Sequence, residues 1–406
     1  MNRRRIAVVT TTRAEFGLMY WLLREILEDG ELDLLLYVTG SHLSPAFGMT
    51  VQEIESHQIP VYRRLEIFPP EGDDADAMTG ALGVALERFG TAFSQDRPDI
   101  TVVLGDRAEV VPIALASVVH GVPVAHLHGG ETSQGALDEY FRHAVTKLAS
   151  VHFPATETYR RRIIQMGEAP DTVHNLGAPG LDHLHRTTLL SRDELAADLG
   201  LNLDIPTLLV TYHPVTAEPG TAVGQLDALL AAVASIEGIQ AVFTKANADP
   251  EGRMVNARMK AFCRSNPRRY YLFDSLGTVR YLSCLRHLSL MAGNSSSGLI
   301  EAPSFGLPVV NVGNRQRGRT QARNVIPADC DATRIRTALK LALSPEFRSG
   351  LSGLTNPYDR FGDGKVSARI KDRLKEFLKA PASRSKAFFD LNMEAPRGQD
   401  RDHGRG

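Results

Sequence analysis

Three consecutive serines stand in the run Gly293-Asn294-Ser295-Ser296-Ser297-Gly298-Leu299-Ile300-Glu301, between the apolar stretches 288–292 and 308–312. Such a run reads as strand, polar loop and helix start. Backbone N–H groups and the hydroxyls of Ser295 and Ser296 would face an anion there, where the helix dipole favours negative charge. Glu301, about one turn further on, can hold a neutral diol such as a ribose. Together these residues point to a nucleotide diphosphate; a Ser-rich N-cap is the plainer alternative.

Other polar clusters also follow apolar runs. Asp106, in Gly105-Asp106-Arg107, could act as a base or orient a sugar, or it could cap the next helix and pair with Arg107. His126-Leu127-His128-Gly129-Gly130-Glu131 offers two imidazoles that strand alternation would put on one side. The glycines would let a ligand approach the backbone. An imidazole titrates near neutral pH and suits acid–base work at His128, whereas a structural hydrogen bond is the better reading of His126. His-x-His with Glu131 has the look of a zinc ligand set, but no partner at metal spacing joins it, so no metal is expected. Asp138 and Arg142 would share a helix face. Asp138 would also join Asp106 and Glu131 in one cleft, where crowded carboxylates separate into an acid and a base. His213 follows another apolar run, and Arg315 is the first of three arginines in 315–319. Both could hold phosphate oxygens, and Arg13 could reach the same phosphates from the end of the first strand.

These clusters need a frame that brings them together. Apolar runs at 6–9, 34–38, 100–104 and 122–127 read as buried strands, with helices around 19–27 and over 109–120. The pattern restarts with runs at 207–211, 240–243, 288–292 and 308–312. Continuous apolar strands alternating with helices predict parallel sheets covered on both faces. Polar clusters after strand ends place the chemistry at the carboxyl edges. The fold class is therefore α/β, as two domains with a cleft between them. The charged segment 182–201 reads as mostly helical and carries the crossing; 365–378 reads as a final amphipathic helix, and the polar stretch from Ala382 as a disordered tail.

The chain has 406 residues, room for two domains. Its formal net charge of −1 gives no field that favours nucleic acid or an anionic membrane. Three scattered cysteines fit a reducing cytoplasm better than a disulfide framework. The apolar run after the basic start is too short for a signal peptide, and no run approaches a membrane span.

Taken together, Thr12 to Phe16, Gly40 to Leu43, Gly105 to Arg107, Gly129 to Glu131, Arg142 to Leu148, His213 to Thr216, Gly293 to Glu301 and Asn311 to Arg319 resemble one family. It is the hydrolysing UDP-N-acetylglucosamine 2-epimerases, in the branch serving sialic and legionaminic acid synthesis. The resemblance implies a GT-B type fold of two Rossmann-like domains, here 1–182 and 183–362, with a helix at 363–380 returning to the first and a tail at 381–406. It implies no cofactor and no metal, a homodimer or homotetramer, and a UDP-sugar substrate. UDP-N-acetylglucosamine and UDP-N,N'-diacetylbacillosamine remain alternatives. The chemistry implied is loss of UDP with removal of the C2 proton, then rehydration of the glycal to the 2-epimer. Carried over, Asp106 and Asp138 are catalytic carboxylates. His128 stands where the family more often has glutamate, so either His128 or Asp106 could take the C2 proton, with Glu131 beside them. Arg13, Arg107, His213, Asn247, Phe273, Asp274, Ser295, Ser296, Glu301 and Arg315 fall at substrate- or UDP-binding positions. A GT-B glycosyltransferase and a non-catalytic nucleotide-sugar sensor are the competing readings; the carboxylate-rich front half favours elimination over both.

Overall fold

The computed structural model describes residues 3–45, 48–68, 75–133, 137–215, 218, 220–246, 251–379 and 386–391. Two parallel sheets form its frame. The first holds β1 (Arg4–Thr10), β2 (Leu32–Thr39), β3 (Arg63–Leu65), β4 (Ile100–Leu104), β5 (Val124–Leu127) and β6 (Val151–Phe153), in the order β3-β2-β1-β4-β5-β6. The second holds β7 (Thr207–Thr211), β8 (Gln240–Thr244), β9 (Tyr270–Phe273), β10 (Leu290–Gly293), β11 (Val309–Val312) and β12 (Val325–Ala328), in the order β12-β11-β10-β7-β8-β9. Read from β9, the second sheet repeats the strand order of the first, and both are doubly wound.

Alternation explains the two-sided burial. Ile6 and Val8 of β1 enter one apolar layer, and Ala7 and Val9 enter the layer on the opposite face. In β7, Leu208 and Val210 face one layer while Leu209 faces the other. A strand with both faces covered has no polar face to show, which is why the central strands read as mainly apolar runs without a polar alternation.

The expected α/β architecture of two Rossmann-like halves is present. Four strands were not expected from the sequence: β3, β6, β9 and β12. They are the four edge strands of the two sheets. Three of them are short or polar at places, as Arg63-Arg64-Leu65, Val151-His152-Phe153 and Val325-Ile326-Pro327-Ala328 show. Edge positions require less continuous apolar character and tolerate proline.

The helix Val366–Lys379 returns to the first half, with Val366, Ile370 and Leu374 in the core layer that holds Ile6 and Val8. Its first turn is capped from far along the chain. Asp182 accepts hydrogen bonds from the Val366 and Ser367 N–H groups at 2.9 and 2.7 Å, where a carboxylate also favours the helix dipole. Residues 386–391 fall in the stretch expected to be disordered, yet they lie against the first half. Lys386 pairs with the buried Glu168 at 2.6 Å, and Phe389 N–H donates to the Gly167 carbonyl at 2.9 Å. Among the described residues no helix is long and apolar enough to cross a membrane.

Candidate active site

Each sheet reverses its winding between two central strands, β1 and β4 in the first and β7 and β10 in the second. The carboxyl ends of those four strands supply Arg13, Asp106, His213 and the Ser295–Ser296 loop. A crevice opens at such a switch point because the flanking connections leave in opposite directions.

On the first side, Asp106 does not pair with Arg107. It is held by Arg142, an arginine 2% exposed, and accepts a hydrogen bond from Ser133 Oγ at 3.3 Å. Arg107 turns instead to Glu109, 2.8 Å away. Arg142 does not pair with Asp138, although the two share the helix Asp138–Leu148; its second partner is Glu139 at 2.9 Å. Asp138 is left in the first turn of that helix. Burial raises its pKa, with Glu109 adding to the shift and Arg107 opposing it.

The two histidines part company. β5 ends at Leu127, and His128 has a left-handed backbone, φ 60°, so strand alternation does not set its direction. His126 Nε2 lies 2.8 Å from the Gly105 carbonyl, which can only accept, so that nitrogen carries the proton. Burial depresses the His126 pKa to about 3 and keeps the ring neutral, as a structural role requires. His128 Nδ1 lies 2.6 Å from Glu131 Oε1. Burial alone would raise the Glu131 pKa, but the charge and hydrogen bond of His128 and the charge of Arg319 win and lower it. In the neutral form of the His128 ring, an ionised Glu131 holds the proton on Nδ1 and leaves Nε2 with a lone pair. That Nε2 is buried and has no hydrogen-bond partner among the described residues.

On the second side, β10 passes so close to β7 that a Cβ on Gly293 would come within 1.9 Å of the Thr211 carbonyl oxygen. Only glycine fits there. Asn294 follows, 1% exposed, and clamps His213: its side chain accepts from the His213 N–H at 2.8 Å and donates to the His213 carbonyl at 2.7 Å. Burial, then the charge of Arg315, lowers the His213 pKa to about 4. Arg315 donates to the Asn294 carbonyl at 3.1 Å. The helix after the serines spans only Ser297–Ile300, and Glu301 is its C-cap. A single turn supplies little dipole, so any anion preference here rests on local N–H groups, hydroxyls and Arg315. Glu301 Oε2 is buried without a hydrogen-bond partner among the described residues. Burial raises the Glu301 pKa, Ser297 opposes it, and so does the charge of His128 from the other half.

Phe273 ends β9 and its carbonyl accepts from the Lys245 N–H at 3.2 Å, while the exposed Asp274 side chain pairs with Lys245 at 2.5 Å. Asn247 lies outside the described residues. Side chains bridge the crevice. Arg13 donates to Ser275 at 3.2 Å, and Arg319 donates to the Thr132 carbonyl at 3.2 Å with its other arm 4.0 Å from Glu131.

Sequence reasoning passed over several residues of this site. Asn294 stood inside the serine run, hidden by its neighbours. Glu15 is buried beside Thr11, whose N–H it accepts at 2.8 Å, and burial raises its pKa to about 7. Tyr281 is packed beside Ser295, Ser297 and Thr211 from the helix Gly277–His287. Its only sequence signal was an aromatic on an amphipathic helix, which more often means core.

An acid–base cluster on one Rossmann-like half faces a serine–arginine loop on the other, the arrangement of a GT-B type enzyme. The chain belongs to the family described as UDP-N-acetylglucosamine 2-epimerase, which matches residues 24–375. It is 37% identical over 375 residues to UDP-N,N'-diacetylbacillosamine 2-epimerase (hydrolyzing) of Legionella pneumophila, covering 92% of this chain and 96% of that protein. It is 35% identical over 348 residues to GDP/UDP-N,N'-diacetylbacillosamine 2-epimerase (hydrolyzing) of Campylobacter jejuni, covering 86% and 90%. The crystal structure of UDP-GlcNAc 2-epimerase from Neisseria meningitidis bound to UDP-GlcNAc superposes with a TM-score of 0.78 at 18% identity, covering 92% of this chain and all of that one.

Proposed function

We propose that the protein is a hydrolysing 2-epimerase: a UDP-2-acetamido sugar and water give UDP and the free 2-epimer. The observation that carries this reading is His128 Nε2, buried and, among the described residues, without a hydrogen-bond partner, on a ring braced by Glu131. It offers a lone pair to a proton inside a cleft whose far wall is built for a diphosphate. UDP-N,N'-diacetylbacillosamine is the preferred substrate, supported by the two relatives with that name, and UDP-N-acetylglucosamine is the alternative. The reading includes a cytoplasmic homodimer or homotetramer.

The difficult step is loss of a C2 proton that no carbonyl acidifies. As the C1–O bond loosens, positive charge grows at C1 and weakens the neighbouring C–H bond. A base takes the C2 proton, its bonding electrons form the C1=C2 double bond, and UDP leaves with the electrons of the C1–O bond. Water then adds, hydroxyl to C1 and a proton to C2 from the opposite face. Ser295, Ser296, His213, Arg13 and Arg315 stabilise the leaving diphosphate, a contribution of roughly 3–4 kcal/mol per well-aimed donor. His128 or Asp106 takes the proton. Asp138, whose raised pKa keeps it protonated to higher pH, is suited to return one. Arg107 contacts the sugar or phosphates, and Asn247 and the Phe273–Asp274 strand end hold the uracil side, with Glu301 on the ribose.

Turnover of each candidate substrate in deuterated water tests the reading. UDP must appear together with a 2-epimer deuterated at C2. Binding without turnover would replace the proposal with a sensor, and UDP release only with an acceptor sugar would replace it with a transferase.

A further inference from the structure

Away from the cleft, a cavity of about 510 Å³ opens between the first half and the segment by which the chain returns to it. Arg160, His174, Arg360, Phe361 and Arg373 line it, with Glu157 on one side. We propose that this cavity is a second binding site, for a phosphate-bearing anion of nucleotide size.

The arginines are positioned by other contacts and still have donors to offer. Arg160 places Nε on the Val173 carbonyl at 2.9 Å and Nη2 on the Pro170 carbonyl at 3.1 Å, and Nη1 faces Glu157 at 3.4 Å. A guanidinium carries five N–H donors in a fixed fork, so these contacts set its plane and leave donors over. Arg360 spends one donor on the Asn175 carbonyl at 2.9 Å. Arg373 pairs at the rim with Glu376 at 2.5 Å. Arg160, held at several atoms, is a fixed fork that matches phosphate oxygens and loses little freedom on binding, and the more exposed Arg360 and Arg373 add donors beside it.

The one carboxylate in the wall is already answered. Glu157 faces Arg160 and, at 3.8 Å, Arg161, and it accepts from Asn175 at 3.5 Å. His174 has its pKa lowered by burial first, with Arg373 and Arg160 adding to the shift and Glu376 and Asp171 opposing it. Phe361 adds a flat apolar surface, 45% exposed. The Arg360 and Arg369 guanidinium carbons stand 5.6 and 4.0 Å from its ring centroid. An exposed ring bordered by guanidinium groups suits a planar base attached to a phosphate. The volume falls within the range of ordinary small-molecule sites, roughly 300–1,000 Å³. A single phosphate would leave most of it empty.

Isothermal titration of the full-length protein with adenosine monophosphate, and separately with inorganic phosphate, tests this. Saturable binding of adenosine monophosphate is expected, weakened about tenfold or more in the Arg360→Gln/Arg373→Gln double variant. It should be retained in Arg315→Ala, whose substitution lies in the cleft. Phe361→Leu should weaken adenosine monophosphate and leave inorganic phosphate unchanged, which separates the nucleotide from a bare anion. Arg373→Gln alone, with an unchanged melting temperature, guards against misfolding, because this side chain pairs at the surface. The proposal falls if neither probe saturates, if Arg315→Ala abolishes binding while the double variant retains it, or if adenosine monophosphate binds no more tightly than phosphate. None of these outcomes depends on the epimerase reading, which the deuterium experiment decides separately.

Discussion

Replacing Asn294 by alanine should damage both the second half of the molecule and its hold on UDP. The Asn294 amide is 1% exposed and bonds both backbone groups of His213. Without it, one buried N–H and one buried C=O lose their partner. Each orphan costs about 1–3 kcal/mol, so the pair could cost about 2–6 kcal/mol. A water entering the vacated space offsets part of this, which places the expected loss near the lower end, about 2–3 kcal/mol. At roughly 2–4 °C per kcal/mol for a domain of this size, the melting transition should fall by about 5–10 °C. Scanning calorimetry measures the loss, and titration with UDP measures the second effect, because the same clamp sets His213 against the serine loop. Asn294→Asp separates the two. It keeps an acceptor for the His213 N–H, so stability should be partly restored, but on the proposed placement of the diphosphate its charge would repel the ligand and UDP binding should remain poor. A melting point within about 1 °C of wild type for Asn294→Ala, with UDP affinity intact, would refute the clamp.

Three other outcomes follow from the site. Glu131→Gln removes the charge from the 2.6 Å contact to His128; at about 1.5–3 kcal/mol for a charged hydrogen bond, kcat should fall roughly 10- to 150-fold, while UDP affinity, set by the other half, stays within about twofold. Steady-state kinetics beside UDP titration would contradict this if both fell equally. The Glu15 carboxyl is raised from 4.5 to about 7 by burial, with Arg107 opposing. The native state therefore holds that proton more tightly than the unfolded chain, and stability declines as pH rises from about 4.5 to about 7. Glu15→Gln lacks this slope, so its melting temperature relative to wild type should be more favourable at alkaline than at acid pH; an equal difference at both would count against the burial account. Ending the chain after Lys379 removes Lys386 from Glu168 and Phe389 from Gly167, but Glu168 keeps Lys147 at 2.5 Å and His152 at 3.0 Å. The loss should be about 1 kcal/mol, seen as a small drop in melting temperature with kcat unchanged. A lowered kcat would place the tail in the catalytic cycle.

The chain's own pattern determined the class of fold. Central parallel strands are buried on both faces, so 6–9, 100–104, 207–211 and 288–292 had to be largely apolar, and the charged residues had to gather after them. That is why the positions of Asp106, His128, His213 and the serine loop were legible in one dimension. Four edge strands were not, since an edge imposes no comparable pattern on Arg63–Leu65 or Val325–Ala328. Partnership was decided only in three dimensions. Local spacing favoured Asp106 with Arg107 and Asp138 with Arg142, but Arg142 is brought under Asp106 by the packing of the helix Asp138–Leu148 on the first sheet. The turn of His128 depends on a backbone conformation, φ 60°, that no spacing rule encodes. The bridges of Arg13 to Ser275 and Arg319 to Thr132 exist because two separately wound sheets present their carboxyl edges to one crevice. Periodicity records which residues each element must bury; which charges meet is fixed by how the elements pack.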